Sequence, residues 1–220
     1  MTAHMTRDDI AVIQGCFGCT EACARILAAE MTSRSVAHRA ILAIGGDRSA
    51  HLLLVVEGAV VAELFCVDGQ QVQLARHGPG EIFGAYPDES VFRANIAAVG
   101  QTRLLTIATP RLKALAGEHA EIANGIANLL ARQLDLVLDR MAARIGLSAT
   151  GRFYRALLQL SDGNGNIEPA PVVAALALSV HTTRETASRA LATLVRRGIV
   201  LRQENGLRIV SRRMLEELIV

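Results

Sequence analysis

The stretch HTTRETASRALATLVRRG, His181 to Gly198, carries the reading of the whole chain. Thr183 is placed to cap a helix, because its hydroxyl can accept from the free N–H groups of the first turn. Apolar residues recur at Ala187, Ala190, Leu191, Leu194 and Val195, the spacing of one buried helical face. Arg196 and Arg197 fall in the last turn, where cations suit the negative end of the helix dipole. Gly198 then supplies the left-handed residue that ends many helices. The exposed face at the start carries Arg184, Glu185, Ser188 and Arg189. These side chains match base edges in a major groove: Arg pairs with guanine O6/N7, Glu accepts from cytosine N4, and Ser adapts to either role.

The flanks extend this pattern. Upstream, PAPVVAALALSV reads as a short apolar helix, Pro171 to Leu178, separated from the quoted helix by a polar turn at 179–182. Two helices joined by so short a turn form a helix-turn-helix, with the second free to enter a groove. Downstream, IVLRQENGLRIVS reads as two strands around Glu204-Asn205-Gly206, and Asn-Gly between apolar runs signals a hairpin. Helix, turn, helix and hairpin make a winged helix-turn-helix. Residues 151–220 hold ten Arg, no Lys and six acidic residues, a net charge of +4 against +2 for the whole chain. Basic charge gathered in one segment marks a binder of the phosphate backbone of double-stranded DNA.

Composition narrows the alternatives. The chain has 220 residues, 51% of them hydrophobic and 20% charged, enough for one or two globular domains. Scarce aromatics and the absence of Trp argue against a base-stacking single-strand binder. No apolar run is long enough to span a bilayer and no signal peptide opens the chain, so a cytoplasmic protein without a membrane partner is expected. No nucleophile elbow, P-loop or zinc-protease motif is present, so no enzyme is expected.

Residues 8–30 read as helical, broken by Gly15 and Gly18. Short β segments follow, with turns expected at Glu57-Gly58, Asp68-Gly69, Gly78-Pro79-Gly80 and Gly100, the pattern of a small barrel or sandwich. Thr109-Pro110 reads as the cap and first residue of a helix. A long helix at about 118–145 carries Ile122, Ile126, Leu129, Leu130, Leu134, Val137, Leu138 and Met141. That is more apolar surface than one narrow stripe, and it predicts a seam with a second copy, a homodimer. Gly146 to Thr150 reads as a hinge, with Thr150 capping the next helix.

In this order the parts resemble the Crp/Fnr family of transcription regulators. EGAVVAELFCVDGQQVQLARHGPGEIFG looks like the family's β-roll, and TTRETASRAL like its recognition helix. The resemblance implies an α+β fold: a cyclic-nucleotide-binding-like β-roll over 1–116, a dimerisation helix and hinge over 117–147, and a winged helix-turn-helix over 148–220. It implies a dimeric regulator with RNA polymerase as a protein partner. DNA contacts fall on Thr183, Arg184, Glu185, Ser188, Arg189, Arg196 and Arg197. Glu185, Ser188 and Arg189 match the Glu-x-x-Ser-Arg of the Fnr type and favour a TTGA-like half-site in an inverted repeat. His181 stands where the family's turn often has Gly, and His tolerates positive φ better than most residues.

The effector site departs from the family pattern. Its positions fall on Gly84, Ala85, Arg93, Ala94, Val137 and Leu138. Ala85 stands where a Glu would accept from a ribose hydroxyl, and Val137 and Leu138 stand where a Thr-Ser pair would meet adenine. The resemblance thus implies a sensory domain that does not use cAMP, although Arg93 can still hold another anion. Cys16, Cys19 and Cys23, with Cys66, are four thiols that could hold a [4Fe–4S] cluster as in the Fnr type. Their C-x2-C-x3-C spacing is shorter than the usual run, and the first three could equally be small core residues on one helix face. Haem is a further option, with His38, His51, His77 and His119 available. The competing functional reading is an effector-binding module, for Fe–S, haem or a small anion, that acts mainly through protein contacts.

Overall fold

Thr6 and Asp9 close a capping box over the first helix, α1 (Arg7–Phe17), in a computed structural model that describes residues 6–65 and 71–219. Each side chain accepts the other's backbone N–H, which satisfies two otherwise free donors. α1 runs through Gly15 and stops at Gly18, whose φ of 62° makes the left-handed cap. The expected break at Gly15 is therefore absent. α2 (Glu21–Glu30) starts at once, capped by Thr20.

The described residues divide into two units, with the boundary between Asp135 and Leu136. In the first, β1 (Thr32–Val36), β2 (Ile41–Ala43), β3 (Arg48–Ser49), β4 (His51–Phe65), β5 (Gln71–His77), β6 (Ile82–Gly84), β7 (Ser90–Val91) and β8 (Asn95–Ala108) follow in order. The main sheet runs β1-β8-β4-β5, with β2 added to β8 and β6 to β4, and β3 and β7 form a separate ladder. All pairs are antiparallel. Period-two alternation along β4 divides its side chains between two cores. Leu52, Leu54 and Val56 pack with Ile13, Phe17 and Leu27 of the helices. Val55 and Val60 pack with Phe83, Ile96 and Leu104 inside the roll.

The expected turns at Glu57-Gly58 and Gly100 are not turns. β4 and β8 run straight through them, and the register slips twice on β4, between Val55 and Glu57 and between Glu57 and Ala59. Gly58 has φ 75°, and a Cβ there would lie 2.3 Å from the Gln101 carbonyl oxygen. A bulge with a left-handed Gly bends a strand without ending it. The Asp68-Gly69 turn lies outside the described residues.

Thr109 is the first residue of α3 (Thr109–Glu118) and not its cap; Ala108 holds that position without a side-chain bond. The Thr109 hydroxyl donates instead to the Ala85 carbonyl at 2.8 Å. A buried carbonyl needs a donor more than a helix end that solvent can reach. α4 (Ala120–Gly146) buries Ile122, Gly125, Ile126 and Leu129 in its first half. Glu121 accepts from the Thr20 N–H at 2.7 Å, and Arg132 donates to the Cys16 carbonyl at 2.8 Å. Beyond Leu129 the apolar side chains of α4 are exposed, among them Leu130, Leu134, Val137, Leu138, Met141 and Ile145.

The second unit holds α5 (Ala149–Leu160), β9 (Asn166–Ile167), α6 (Val173–Ser179), α7 (Arg184–Arg196), β10 (Val200–Arg202), β11 (Leu207–Ile209) and α8 (Arg212–Glu216). Ser148 caps α5, accepting from the Gly151 N–H at 2.9 Å. The expected cap, Thr150, is already inside the helix, so only residues 147–148 separate α4 from α5. β10 and β11 form the expected hairpin, closed by Gln203 N–H donating to the Gly206 carbonyl at 3.0 Å. β9 adds a third strand on β11, which the sequence did not signal. Phe153, Leu157, Ala187, Leu194 and Val200 form the core.

Candidate nucleic-acid interface and sensory site

α7 separates its faces cleanly. Ala187, Ala190, Leu191 and Leu194 are buried. Arg184, Glu185, Ser188, Arg189, Arg196 and Arg197 are exposed. Thr183 caps the helix, accepting from the Thr186 N–H at 3.1 Å. Glu185, Ser188 and Arg189 stand at i, i+3 and i+4, one exposed patch on the first turns. The Glu185 carboxyl is held below its usual range by its own backbone N–H and by Thr183, so it is an acceptor at neutral pH. Arg202 and Arg208 are exposed on the wing. In α8, Arg212 and Arg213 are engaged by Glu216 and Glu217.

The turn before α7 is held by a residue that the sequence did not single out. Arg152 of α5 donates through Nε to the Val180 carbonyl and through Nη2 to the His181 carbonyl, both at 2.8 Å. Its Nη1 reaches the Leu147 carbonyl at 3.0 Å. One planar guanidinium thus serves three carbonyls, a task for which Lys lacks the fork geometry. His181 adopts φ 55°, the left-handed conformation expected there. Burial, with Arg144 and Arg152 adding to it, pushes the His181 imidazole below its ordinary pKa. No sequence signal links Arg152 to this turn, because its partners lie 28 and 29 residues away.

Four of the candidate effector residues, Gly84, Ala85, Arg93 and Ala94, lie in the first unit. Gly84 has φ 102°, and a Cβ there would lie 2.2 Å from the His51 carbonyl oxygen. Only Gly fits so close an approach. Ala85 and Ala94 are buried, and Arg93 is exposed. Val137 and Leu138 are exposed on α4 in the second unit.

The cysteines are core residues as placed. Cys16 lies near the end of α1, Cys19 after the Gly18 turn and Cys23 in the first turn of α2. They pack with Ile13, Phe17 and Leu27. Burial pushes the Cys19 thiol up to about 11, and raises Cys16 and Cys23 as well. Among the described residues no three His, Cys, Asp or Glu side chains are grouped to hold a metal ion. A [4Fe–4S] cluster takes thiolates, and these three thiols, as arranged, do not fit one. Cys66 lies outside the described residues. Of the histidines, His38 accepts from the Gly100 N–H at 2.9 Å. His77 stacks on Phe83 and meets Gln133 at 3.1 Å. Among the described residues, no single helix is long and apolar enough to cross a membrane.

Residues 151–218 match the Crp-like helix-turn-helix domain. The cyclic AMP receptor protein of Thermus thermophilus is 34% identical over 179 residues, which cover 79% of this chain and 81% of that protein. This chain belongs to the Crp/Fnr family. It is a DNA-binding transcription regulator of the Crp/Fnr type and not an enzyme. FixK2 from Bradyrhizobium japonicum superposes on this Crp/Fnr chain with a TM-score of 0.74 at 23% identity, over 86% of this chain and 98% of that one. The c-di-GMP responsive regulator CLP of Xanthomonas campestris gives 0.74 at 20% identity, over 87% and 100%. At such identities these likenesses show the fold: a β-rich N-terminal unit, a long helix and a C-terminal helix-turn-helix.

Proposed function

We propose that this Crp/Fnr regulator acts as a homodimer that reads a TTGA-like inverted repeat and responds to an effector other than cAMP. The observation that carries the reading is the exposed patch of Glu185, Ser188 and Arg189 on a helix whose opposite face is locked into the core. In this pose Arg189 pairs with the guanine and Glu185 accepts from a cytosine of the opposite strand. Arg196, Arg197 and Arg202 hold phosphates, which sets affinity and salt dependence and not sequence.

Dimerisation is supported by α4. Leu130, Leu134, Val137 and Met141 are spaced by four, three and four residues and are all exposed, the spacing of a coiled-coil seam. Two copies about such a seam present two recognition helices to half-sites about one helical turn apart. RNA polymerase is the protein partner on the promoter. The effector reading is supported by Ala85, whose buried methyl offers no acceptor to a ribose hydroxyl, and by the apolar pair Val137 and Leu138.

The test compares Arg189→Ala with Arg197→Ala on matched and mismatched operators. Arg189→Ala should cost about 1–3 kcal/mol per half-site and relax discrimination at the guanine. Arg197→Ala should weaken binding to all sequences and flatten the salt slope. Full discrimination retained by Arg189→Ala would remove α7 as the reading element. Genomic footprinting without any protected repeat would favour a module that works through protein contacts.

A further inference from the structure

The β-roll holds a cleft that the expected effector residues do not line. Its volume is about 480 Å³, within the range of small-molecule sites. Leu42, Leu53 and Phe92 form an apolar floor, and Arg34, Arg48, Ser49 and His51 stand around it. The strand register explains the arrangement. Thr32 lies opposite Thr106, and Thr106 opposite Leu53, so these three share one face. Arg34, two residues beyond Thr32, shares it too. That face continues into the inner core at Val55 and Leu104. The cleft is the inner core of the roll left open at one end.

Its polar groups are not balanced. The lining contains two Arg and one His but no carboxylate. Arg48 is paired with Glu89. Arg34 has no ion-pair partner among the described residues. Ser49 is 2% exposed, and its Oγ has no hydrogen-bond partner among the described residues. That hydroxyl is closed off even from a water-sized group in the cleft, so it offers no donor to a ligand there. One uncompensated cation and an apolar floor select a monoanion with an apolar body.

We propose that this cleft binds a small amphipathic carboxylate, with Arg34 on the carboxylate and Leu42, Leu53 and Phe92 against the body. The proposal adds an effector class and a place to the regulator proposed above. It is tested by binding in the absence of DNA, so it can fail while the operator reading stands, and the reverse.

The experiment titrates the full chain with sodium benzoate and with benzyl alcohol, the uncharged analogue of similar shape, by calorimetry. Benzoate should bind in about the millimolar range or tighter, and the alcohol at least about tenfold more weakly. Arg34→Gln should weaken benzoate at least about tenfold while shifting the melting temperature by no more than about 2 °C, since Arg34 is exposed on an edge strand. Ser49→Ala should leave benzoate affinity within about threefold and keep or raise the melting temperature, because it removes the orphan group and no ligand contact. No benzoate binding at about 10 mM, equal affinity for the alcohol, or a loss seen only in Arg93→Ala would overturn the proposal.

Discussion

Replacing Arg152 by Ala should loosen the helix-turn-helix without touching any group that faces DNA. The side chain makes three hydrogen bonds, to the carbonyls of Leu147, Val180 and His181, at 3.0, 2.8 and 2.8 Å. A bond from a charged donor contributes about 1.5–3 kcal/mol. The three share one side chain and the freed carbonyls regain some water, so the sum is not additive. About 2–4 kcal/mol is expected in all. The local readout is amide exchange at His181 and Thr182, whose N–H groups donate to Leu178 and Ala177 at 3.2 and 2.9 Å. Where local opening limits exchange, a cost of 2 kcal/mol or more corresponds to acceleration by about 30-fold or more. Operator affinity should fall in parallel, since the left-handed turn at His181 sets the start of α7. Arg152→Lys keeps the charge but can serve only part of the fork, and should fall between. Exchange in Arg152→Ala within threefold of the parent, or full recovery in Arg152→Lys, would show that the fork does not hold the turn.

Three other outcomes are expected. Asp9 is 1% exposed; burial alone would raise its pKa, but the Thr6 N–H and Arg103 outweigh that and hold it below the ordinary value. Its contribution is complete above about pH 4 and is lost as pH falls through the lowered folded pKa. Asp9→Asn should cost about 2–3 kcal/mol near neutrality and progressively less in acid, read by urea unfolding across pH. The depressed His181 gives the same sign at higher pH: stability of the turn is complete above about 6.5 and declines as pH falls below it, and His181→Asn should flatten amide exchange across that window. Light scattering should give about twice 23.5 kDa for the parent, and about the monomer mass for Leu134→Glu combined with Met141→Glu, because two charges would be buried in the α4 seam.

What was legible in the sequence was local. Thr183, the buried stripe of α7 and the Asn205-Gly206 hairpin all follow from neighbours within a few residues, and all stand where periodicity and turn chemistry put them; the left-handed His181 follows from the family resemblance. What was not legible depends on distant partners. Gly58 reads as a turn because Gly usually serves one; here it bends a strand whose partner, β8, lies about forty residues on. Thr109 looks like a cap until the buried Ala85 carbonyl claims its hydroxyl. Ser148 and Thr150 offer the same chemistry two residues apart, and only the packing of α5 chooses between them. The cleft beside Arg34 is built from five strands and the segments between them and has no continuous motif. Three cysteines close in sequence invite a metal reading, but an αL residue at Gly18 turns them into the packing between two helices.

That packing turns the thiols into clocks. Cys19 and Cys23 are buried among α1, α2 and the start of α4, while Cys16 is only half-buried. A thiol reagent can reach the buried pair only when this helical packing opens. In a chain with Cys66 replaced by Ser, labelling should therefore proceed in two phases, with Cys16 first. The slow phase counts how often this packing opens, and its rate can be followed with and without a bound ligand. The three thiols that the sequence offers as cluster ligands would then time the opening of the helices they join.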